Sequence, residues 1–328
     1  MKIQKAERAK IKVPIMLMGA SGSGKTLSSL LIAKGIVEAM LPKATDEEHW
    51  AKIGMVETEH NRSSLYVNTE HDGVTIGNFL QVELQPPFTV GNYTEAFNLL
   101  KEAGAEVIII DSLTSSWSGE GGLLDKVNEL GGAFSDWNKV GPDQKQLLHL
   151  LTDSDVHVIA TARSKQGIEV TRNDVGKVQI EKVGLKPDLK DGVEYEFAIT
   201  FQIYQDHTAQ AMKDNSSIFT DQVRLSRDTG HKIYAWAEEG VDLVAEERER
   251  KRKALIAIET LAKDEVAAKS LEMLKKRVGK DNLADWTLEE LAKGYKYAEA
   301  KAKKEKTKTT EKKAAATKQP TKKESAEK

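Results

Sequence analysis

The sequence predicts an α/β fold whose central sheet is mostly parallel. Four apolar runs are too short for buried helices and are typical of buried strands: residues 13–18, 53–56, 107–110 and 156–161. Helical segments lie between them, and such alternation is typical of βαβ units, whose strands pair in parallel. Polar side chains follow where these strands end, which is the edge at which open α/β sheets bind ligands.

The first strand, Val13–Met18, runs into a segment that fits the template G-x-x-x-x-G-K-[ST] at every fixed position. We call this segment the glycine-rich loop, and its residues are Gly19, Ala20, Ser21, Gly22, Ser23, Gly24, Lys25 and Thr26. The glycines let the backbone turn tightly and direct N–H groups at phosphate oxygens. Lys25 can reach the β- and γ-phosphates of ATP, and the Thr26 hydroxyl can coordinate Mg²⁺. A helix over Leu27–Met40 adds the positive end of its dipole, and these neighbours argue against a chance match by a Gly/Ser-rich turn.

The second strand, Ile53–Val56, ends in Glu57-Thr58-Glu59-His60. Its position at a strand end makes Glu59 a candidate base that polarises an attacking water. A solvated loop carboxylate explains the same spacing equally well, so both interpretations stay open at this point.

The third strand ends in a carboxylate. A helix is predicted over Asn92–Gly104, followed by the apolar run Val107–Ile110 and then Asp111. Buried strands often end in Asp, so this pattern alone is weak. Downstream of a complete phosphate-binding template, it predicts that Asp111 completes the Mg²⁺ site.

The fourth strand leads into a basic hairpin. A helix over Gln144–Leu151 precedes it, and Thr161 and Arg163 follow at its ligand-facing end, where either can sense the γ-phosphate or contact nucleic acid. Alternation over residues 168–180 around Asn-Asp-Val-Gly predicts a β-hairpin. Its candidate DNA-binding residues are Arg163, Lys165, Arg172 and Lys177. A net positive hairpin can grip a phosphodiester backbone, and a plain exposed hairpin is an equal alternative. Residues 195–204 and 218–225 are predicted to be later strands of the same sheet.

The chain is predicted to have three parts: an ATPase domain over 1–242, a helical region over 243–300 and a disordered Lys-rich tail over 301–328. A capping box at Thr287–Glu290 predicts a helix through about Ala300. The formal net charge is −2, but the tail holds eleven Lys and four Glu, or +7, which leaves −9 on residues 1–300. A basic tail on an acidic body suggests a polyanion-binding arm, and a solubilising tail is an equal alternative.

Composition narrows the class of protein further. The 328 residues contain no cysteine, which excludes disulfides and thiolate chemistry and fits a reducing compartment. The first residues lack the apolar segment of a signal peptide, and no run approaches the length of a membrane span. We therefore expect a soluble cytoplasmic protein with no membrane partner.

Several segments together resemble the phage-encoded RecA-like P-loop ATPases, the phage nucleotide-binding proteins of single-strand annealing recombinase type. The resemblance covers roughly residues 11–240 and rests on GASGSGKT, IIIDSLTSSWSGEGGLLD, HVIATARSK, KVGLKPDLKDGVEYEF, DHTAQAMKD and TGHKIYAWAEEG. It implies a RecA-like core that binds ATP and Mg²⁺ through Lys25, Thr26 and Asp111. It also implies a homo-oligomer that binds single-stranded DNA through a loop at the position of the hairpin.

The resemblance implies two further catalytic residues. ETEH is similar to the D-A-E-H of bacterial RecA, which makes Glu59 the implied catalytic carboxylate. Lys213-Asp214 matches a Lys-Asp-Arg-Thr motif and is comparable to lysines that reach across a subunit interface. Asn215 and Ser216 replace the Arg and Thr of that motif, so an arginine finger is not implied there. Arg227 lies downstream as a possible substitute, without support from its spacing.

The expected function is Mg²⁺-dependent ATP hydrolysis coupled to single-stranded DNA binding in phage recombination, annealing or replication. Phage or host single-strand-binding or replication proteins are the expected partners, in the host cytoplasm if the protein is phage-encoded. One alternative is a nucleotide-gated binding protein that hydrolyses ATP weakly and recruits replication partners. Another is an NTPase with no nucleic-acid role, suggested by the acidic body.

Overall fold

The computed structural model describes residues 5–172 and 178–316. The chain divides into two compact units, Met1–Gly240 and Val241–Lys328. The first is an α/β unit with an eight-stranded, mostly parallel sheet, and the second consists of helices. The predicted fold class is confirmed at this level.

The large sheet contains strands from the whole length of the first unit. Its strands are β1 (Pro14–Gly19), β2 (Ile53–Glu57), β5 (Leu80–Glu83), β6 (Val107–Asp111), β7 (His157–Arg172), β8 (Val178–Pro187), β9 (Ile199–Ile203) and β10 (Ala209–Asp214), while β3 (Glu70–His71) and β4 (Val74–Thr75) form a separate antiparallel pair. The spatial order is β10-β9-β1-β7-β6-β2-β5, and β8 pairs with β7 outside this path. Only the β9–β10 and β7–β8 pairs of the described sheet are antiparallel.

Helices cover both faces of the sheet. The helices of the first unit are α1 (Lys25–Met40), α2 (Asp46–Trp50), α3 (Val90–Glu102), α4 (Thr114–Ser118), α5 (Leu123–Glu129), α6 (Trp137–Thr152) and α7 (Arg227–Ala237), with short 3₁₀ turns at Ser63–Tyr66, Phe134–Asp136 and Val193–Tyr195. The helix predictions made from the sequence are confirmed, with ends that differ by a few residues and an earlier start for α6.

The central strands are buried on both faces. In β1, Ile15 and Leu17 belong to the core cluster that contains α1, while Met16 and Met18 belong to the cluster that contains α3. This is why strands such as β1 and β6 are continuous apolar runs rather than alternating ones. Their carboxyl ends all lie at one edge of the sheet, because β1, β2, β6 and β7 run parallel.

Two predictions about the later strands need correction. Residues 218–225 form no strand, and their link to the sheet is an isolated bridge between Ala209 and Val223. The antiparallel edge strand is β10, which the sequence analysis did not predict as a strand. The strand predicted over residues 195–204 is confined to Ile199–Ile203, since Val193–Tyr195 forms a 3₁₀ turn.

The β7–β8 hairpin predicted from alternation is confirmed by its antiparallel pairing, which runs from Ser164↔Pro187 to Arg172↔Val178. Strand β7 is continuous from the core of the sheet into this hairpin. Lys177 and the predicted turn at residues 173–176 lie outside the described residues.

The second unit contains α8 (Leu243–Leu261), α9 (Glu265–Val278), α10 (Leu288–Ala316) and a 3₁₀ turn at Leu283–Asp285. Its core includes Trp286, which is 1% exposed and donates its indole N–H to the Lys280 carbonyl at 3.1 Å. The prediction of a disordered tail from residue 301 is wrong for residues 301–316, which continue α10. Ala302 is buried in the helical core, and this contact explains why the helix extends past Ala300.

Candidate functional site

A cavity of about 730 Å³ opens at the carboxyl ends of the parallel strands. It is lined by residues that follow β1 and β2, by Asp111 at the end of β6 and by Arg163 in β7, as expected for an open α/β sheet. Lys25, Thr26, Glu59, Asp111 and Arg163 all line this cavity. The structure therefore brings together candidate residues that are far apart in the sequence.

The glycine-rich loop connects β1 to the first turn of α1. Gly22 and Gly24 have φ angles of 79° and 95°, which is the left-handed region that glycine adopts without strain. The Lys25 amine donates to the carbonyls of Gly19 and Ala20, each at 3.0 Å, so it folds back over the loop. Burial lowers the pKa of Lys25, while the Asp111 and Glu59 carboxylates raise it. A partly buried cation held by carbonyl groups can exchange these contacts for a phosphate that brings full negative charge.

Asp111 joins the loop to the strand beside it. The Thr26 hydroxyl donates to Asp111 Oδ2 at 2.5 Å, and the Thr161 hydroxyl donates to Asp111 Oδ1 at 2.5 Å. Burial raises the pKa of Asp111, and these two hydrogen bonds oppose the rise. The carboxylate and the Thr26 hydroxyl are hard oxygen ligands in contact, which is the donor set that Mg²⁺ prefers.

Glu59 and Glu57 have different surroundings. The side chain of Glu59 is 24% exposed and pairs with Arg163 at 2.7 Å and with Arg62 at 3.6 Å. Glu57 is 1% exposed, and its two carboxylate oxygens accept the backbone N–H groups of Glu59 at 2.9 Å and of Ser63 at 3.0 Å. Glu57 thus fixes the loop that carries Glu59, and Glu59 is the carboxylate with access to solvent.

Of the remaining candidate residues, Lys165 and Lys213 are not among the described residues that line the cavity. Lys165 pairs with Asp188 at 2.7 Å on the hairpin. Arg172 is described only by its place in β7, opposite Val178. Lys213 pairs with Thr200 in the β9–β10 ladder, and Thr200 pairs with Met16 in the middle of β1.

Lys213 therefore lies toward the opposite end of the strands, where its amine donates to the Tyr195 carbonyl. A role for Lys213 across a subunit interface stays a prediction. Arg227 does not reach the cavity either. It begins α7 and pairs with Glu38 at 3.6 Å.

Sequence reasoning missed several residues that line the cavity. They include Arg62, Leu65, Tyr66 and His71, which follow β2, and His207, Arg224 and Leu225, which follow β9. Tyr66 and His71 contact edge to face, with ring centroids 5.6 Å apart. For His207, the sequence does indicate a turn, because Gln205–Thr208 is polar, but this composition does not reveal what the turn contacts.

A second cluster brings Glu38, Asp46 and His49 within reach of one another, in an arrangement that can hold a metal ion. The Lys34 ammonium lies among them instead. It bonds to Asp46, lies 3.1 Å from His49 Nδ1 and 3.4 Å from Glu38, and packs over the Trp50 ring at 5.4 Å. Since His49 Nε2 faces the Leu41 carbonyl at 2.9 Å, Nδ1 is the acceptor for the lysine. This cluster is a partly buried ion network, in which Lys34 and His49 are buried and Asp46 is exposed, and it ties α1 to α2.

Comparison with models of known protein families finds no match, and no curated protein sequence is significantly similar to this chain. Within residues 5–172 and 178–316, no helix combines the length and apolar character needed to cross a bilayer.

Proposed function

We propose that the protein is a Mg²⁺-dependent ATPase of RecA-like type whose hydrolysis is coupled to binding of single-stranded DNA. The observation that carries the proposal is the contact of Thr26 with Asp111, which are 85 positions apart in the chain. Lys25 and Thr26, the last two positions of the phosphate-binding template, thereby meet the carboxylate that ends β6 at one cavity, with Glu59 on its wall. This is the combination that P-loop chemistry needs.

The residues present fit a magnesium ion. Thr26 and Asp111 would hold it, since their oxygens already touch and the two hydrogen bonds that reach the Asp111 carboxylate come from neutral hydroxyls, those of Thr26 and Thr161. When bound, Mg²⁺ neutralises negative charge on the phosphate oxygens. One carboxylate oxygen of Asp111 would then be a ligand of the ion, and the hydrogen bond from Thr161 would keep the other oxygen in place.

The protein's own residues supply the remaining steps. Lys25 leaves the Gly19 and Ala20 carbonyls and binds the β- and γ-phosphates, where it stabilises the charge that spreads in the transition state. Glu59 orients the attacking water and accepts its proton. For this the carboxylate must first leave Arg163, whose guanidinium is then available to the γ-phosphate.

The cavity also has aromatic and apolar lining residues that suit a nucleotide base. They are Leu65, Tyr66, His71 and Leu225, and the Tyr66 and His71 rings contact each other. Stacking on an aromatic ring favours any purine. The arrangement therefore supports a nucleoside triphosphate rather than a smaller phosphate ester.

The DNA-binding part of the proposal rests on the continuity of β7. This strand contains Thr161, which bonds to Asp111, and Arg163, which lines the cavity, and it continues to Arg172 in the hairpin. A change at the γ-phosphate can therefore reach the hairpin through one strand, and the basic residues Lys165, Arg172 and Lys177 would contact the DNA backbone. The same proposal includes assembly into a homo-oligomer. It also includes a role in phage recombination, annealing or replication, with single-strand-binding or replication proteins as partners in the host cytoplasm.

One observation favours the second candidate, a nucleotide-gated binding protein with weak hydrolysis. Glu59 is engaged by two arginines, Arg163 and Arg62. If ATP binding does not release it, the protein would bind nucleotide and change its DNA or protein contacts with little turnover.

ATPase assays and equilibrium binding separate the two candidates. The parent protein, Lys25→Ala and Glu59→Gln are compared with and without single-stranded DNA, double-stranded DNA and RNA. Lys145→Ala, an exposed lysine on α6, is the matched control. The proposal predicts turnover stimulated by single-stranded DNA, lost in Lys25→Ala and reduced about 10²-fold or more in Glu59→Gln.

Two results would decide against the favoured function. ATP binding that alters DNA affinity without stimulated turnover supports the nucleotide-gated protein instead. ATP hydrolysis that none of the three nucleic acids changes supports an NTPase with no nucleic-acid role.

A further inference from the structure

The glycine-rich loop is held from outside by the turn that joins β9 to β10. Parallel pairing of β1 with β9 sets Gly19 beside Ile203, so the turn begins where the loop begins. A Cβ at Gly19 would lie 2.8 Å from the Ile203 carbonyl oxygen, which shows how closely the two segments pack.

Two side chains of this turn bond to backbone carbonyls of the loop. Gln205 Nε2 donates to the Ser21 carbonyl at 3.3 Å. His207 Nδ1 lies 3.0 Å from the Ser23 carbonyl oxygen, and because a carbonyl only accepts, Nδ1 carries the proton and donates.

The turn itself is well fixed by hydrogen bonds. The Tyr204 and Thr208 backbones are joined at 2.8 Å, and the His207 N–H donates to the Tyr204 carbonyl at 3.0 Å. Asp206 Oδ1 accepts from both the N–H and the hydroxyl of Thr208, at 3.0 and 2.7 Å. His207 has a φ of 64°, in the left-handed region that residues other than glycine adopt uncommonly and that Asn, Asp and His adopt more often than the rest. With this backbone conformation, the His207 side chain reaches the Ser23 carbonyl of the loop.

These bonds determine the direction of two loop amides. In a planar trans peptide the C=O and the N–H of the next residue point in opposite directions. Because the Ser21 and Ser23 carbonyls face the turn, the N–H groups of Gly22 and Gly24 face away from it. Both glycines line the cavity, and backbone N–H groups aimed at one point form an anion-binding concavity.

We infer that His207 and Gln205 are positioning residues that hold the glycine-rich loop with its amides facing the bound phosphates. This inference rests on the proposed nucleotide-binding function and adds to it a contact from an element outside the motif. His207 acts through the loop backbone, so its loss should weaken binding of the phosphates rather than of the base.

The test is equilibrium binding of ADP and ATP to three variants. His207→Gly removes the donor and also suits a left-handed φ, so backbone strain cannot explain a loss. His207→Asn keeps an N–H donor at the same distance from the backbone and tolerates the same φ. Tyr204→Phe is the matched control, because the Tyr204 hydroxyl bonds to Gln210 at 3.2 Å within the hairpin and not to the loop.

Losing one neutral hydrogen bond should weaken ADP and ATP binding by about 2- to 12-fold in His207→Gly. We expect His207→Asn and Tyr204→Phe to stay within about twofold of the parent. Hydrogen exchange provides a readout independent of affinity. ADP should protect the amides of residues 19–26 in the parent and in His207→Asn, and protect them less in His207→Gly. Gln205→Ala should give a smaller loss of the same kind without any change at the left-handed residue.

Parent-like nucleotide affinity and loop protection in His207→Gly would overturn the inference. So would a loss in His207→Asn as large as that in His207→Gly, because the donor would then not be the cause. Failure of the proposed function is a separate result: a parent protein whose affinity for ADP and ATP is no better than that of Lys25→Ala.

Discussion

The substitution Glu57→Gln is the most informative single change, because it separates the roles of the two carboxylates at the end of β2. Glu57 is buried and accepts two backbone N–H groups, from Glu59 and Ser63. A glutamine of the same shape keeps one acceptor oxygen but presents an NH₂ group to the other N–H. One charge-assisted bond is lost, and two donors face each other in a buried place.

The cost follows from those contacts. A hydrogen bond to a charged group contributes about 1.5–3 kcal/mol, and an α/β unit of this size loses about 2–4 °C in Tm per kcal/mol. Glu57→Gln should therefore lower Tm by about 3–12 °C and displace the Glu59 loop, which slows turnover. Glu59→Gln removes a partly exposed ion pair worth about 1 kcal/mol or less, so its Tm should stay within a few degrees. Its turnover should fall about 10²-fold or more.

Thermal unfolding and steady-state ATPase rates on the same preparations check both expectations. Glu95→Gln, an exposed carboxylate on α3, is the control for loss of a charge. The reasoning fails if Glu59→Gln turns over at the parent rate while Glu57→Gln keeps the parent Tm and is inactive. Glu57 would then be the catalytic carboxylate, and its hydrogen bonds to the loop would be incidental.

Two further predictions concern stability. Burial lowers the pKa of His157 to about 3, below its value in an unfolded chain, so His157 adds stability above about pH 6.5 that is lost as the pH falls. The free energy of unfolding in urea should drop by up to about 1.4 kcal/mol per pH unit between pH 6 and pH 4 from this group, and less in His157→Asn, which can still accept the Val13 N–H. Deleting residues 317–328 should leave Tm unchanged. Deleting residues 301–328 removes buried Ala302 and the Lys306–Asp264 ion pair, so it should lower the free energy of unfolding of the helical unit by about 1 kcal/mol or more. Thermal unfolding followed by circular dichroism measures both. Equal melting of the two deletions would mean that the last turns of α10 do not stabilise the unit.

The parts of the site that could be predicted are those encoded by contiguous residues. The strand, glycine-rich loop and helix over residues 13–40 follow one another, so template and periodicity give both the elements and their order. The meeting of Thr26 with Asp111 could also be expected, because parallel strands bring their carboxyl ends to one edge. Both predictions depend on strands buried on two faces, whose apolar runs are strong signals.

The failures occur where composition is a poor guide. β10 has the sequence AQAMKD, which lacks the β-branched residues typical of strands, and lies at the edge of the sheet, where burial imposes little pattern. Residues 301–316 are rich in Lys, Ala and Thr, which suggests disorder, but Ala and Lys are also good helix formers. Burial of Ala302 in the helical core is the tertiary contact that favours the helix, and the sequence alone does not show it.

The contact of His207 with the glycine-rich loop shows where motif reasoning ends. The two residues bonded are 184 positions apart, and neither the turn composition nor the template refers to the other. The contact exists because Gly19 and Ile203 are partners in the β1–β9 ladder, so the turn after β9 lies beside the loop after β1. A shift of one residue in that register would turn Ile203 to the other face of the sheet and move His207 away from the Ser23 carbonyl. The template thus supplies the residue types of the loop, while the direction of its amides depends on the strand pairing beside it.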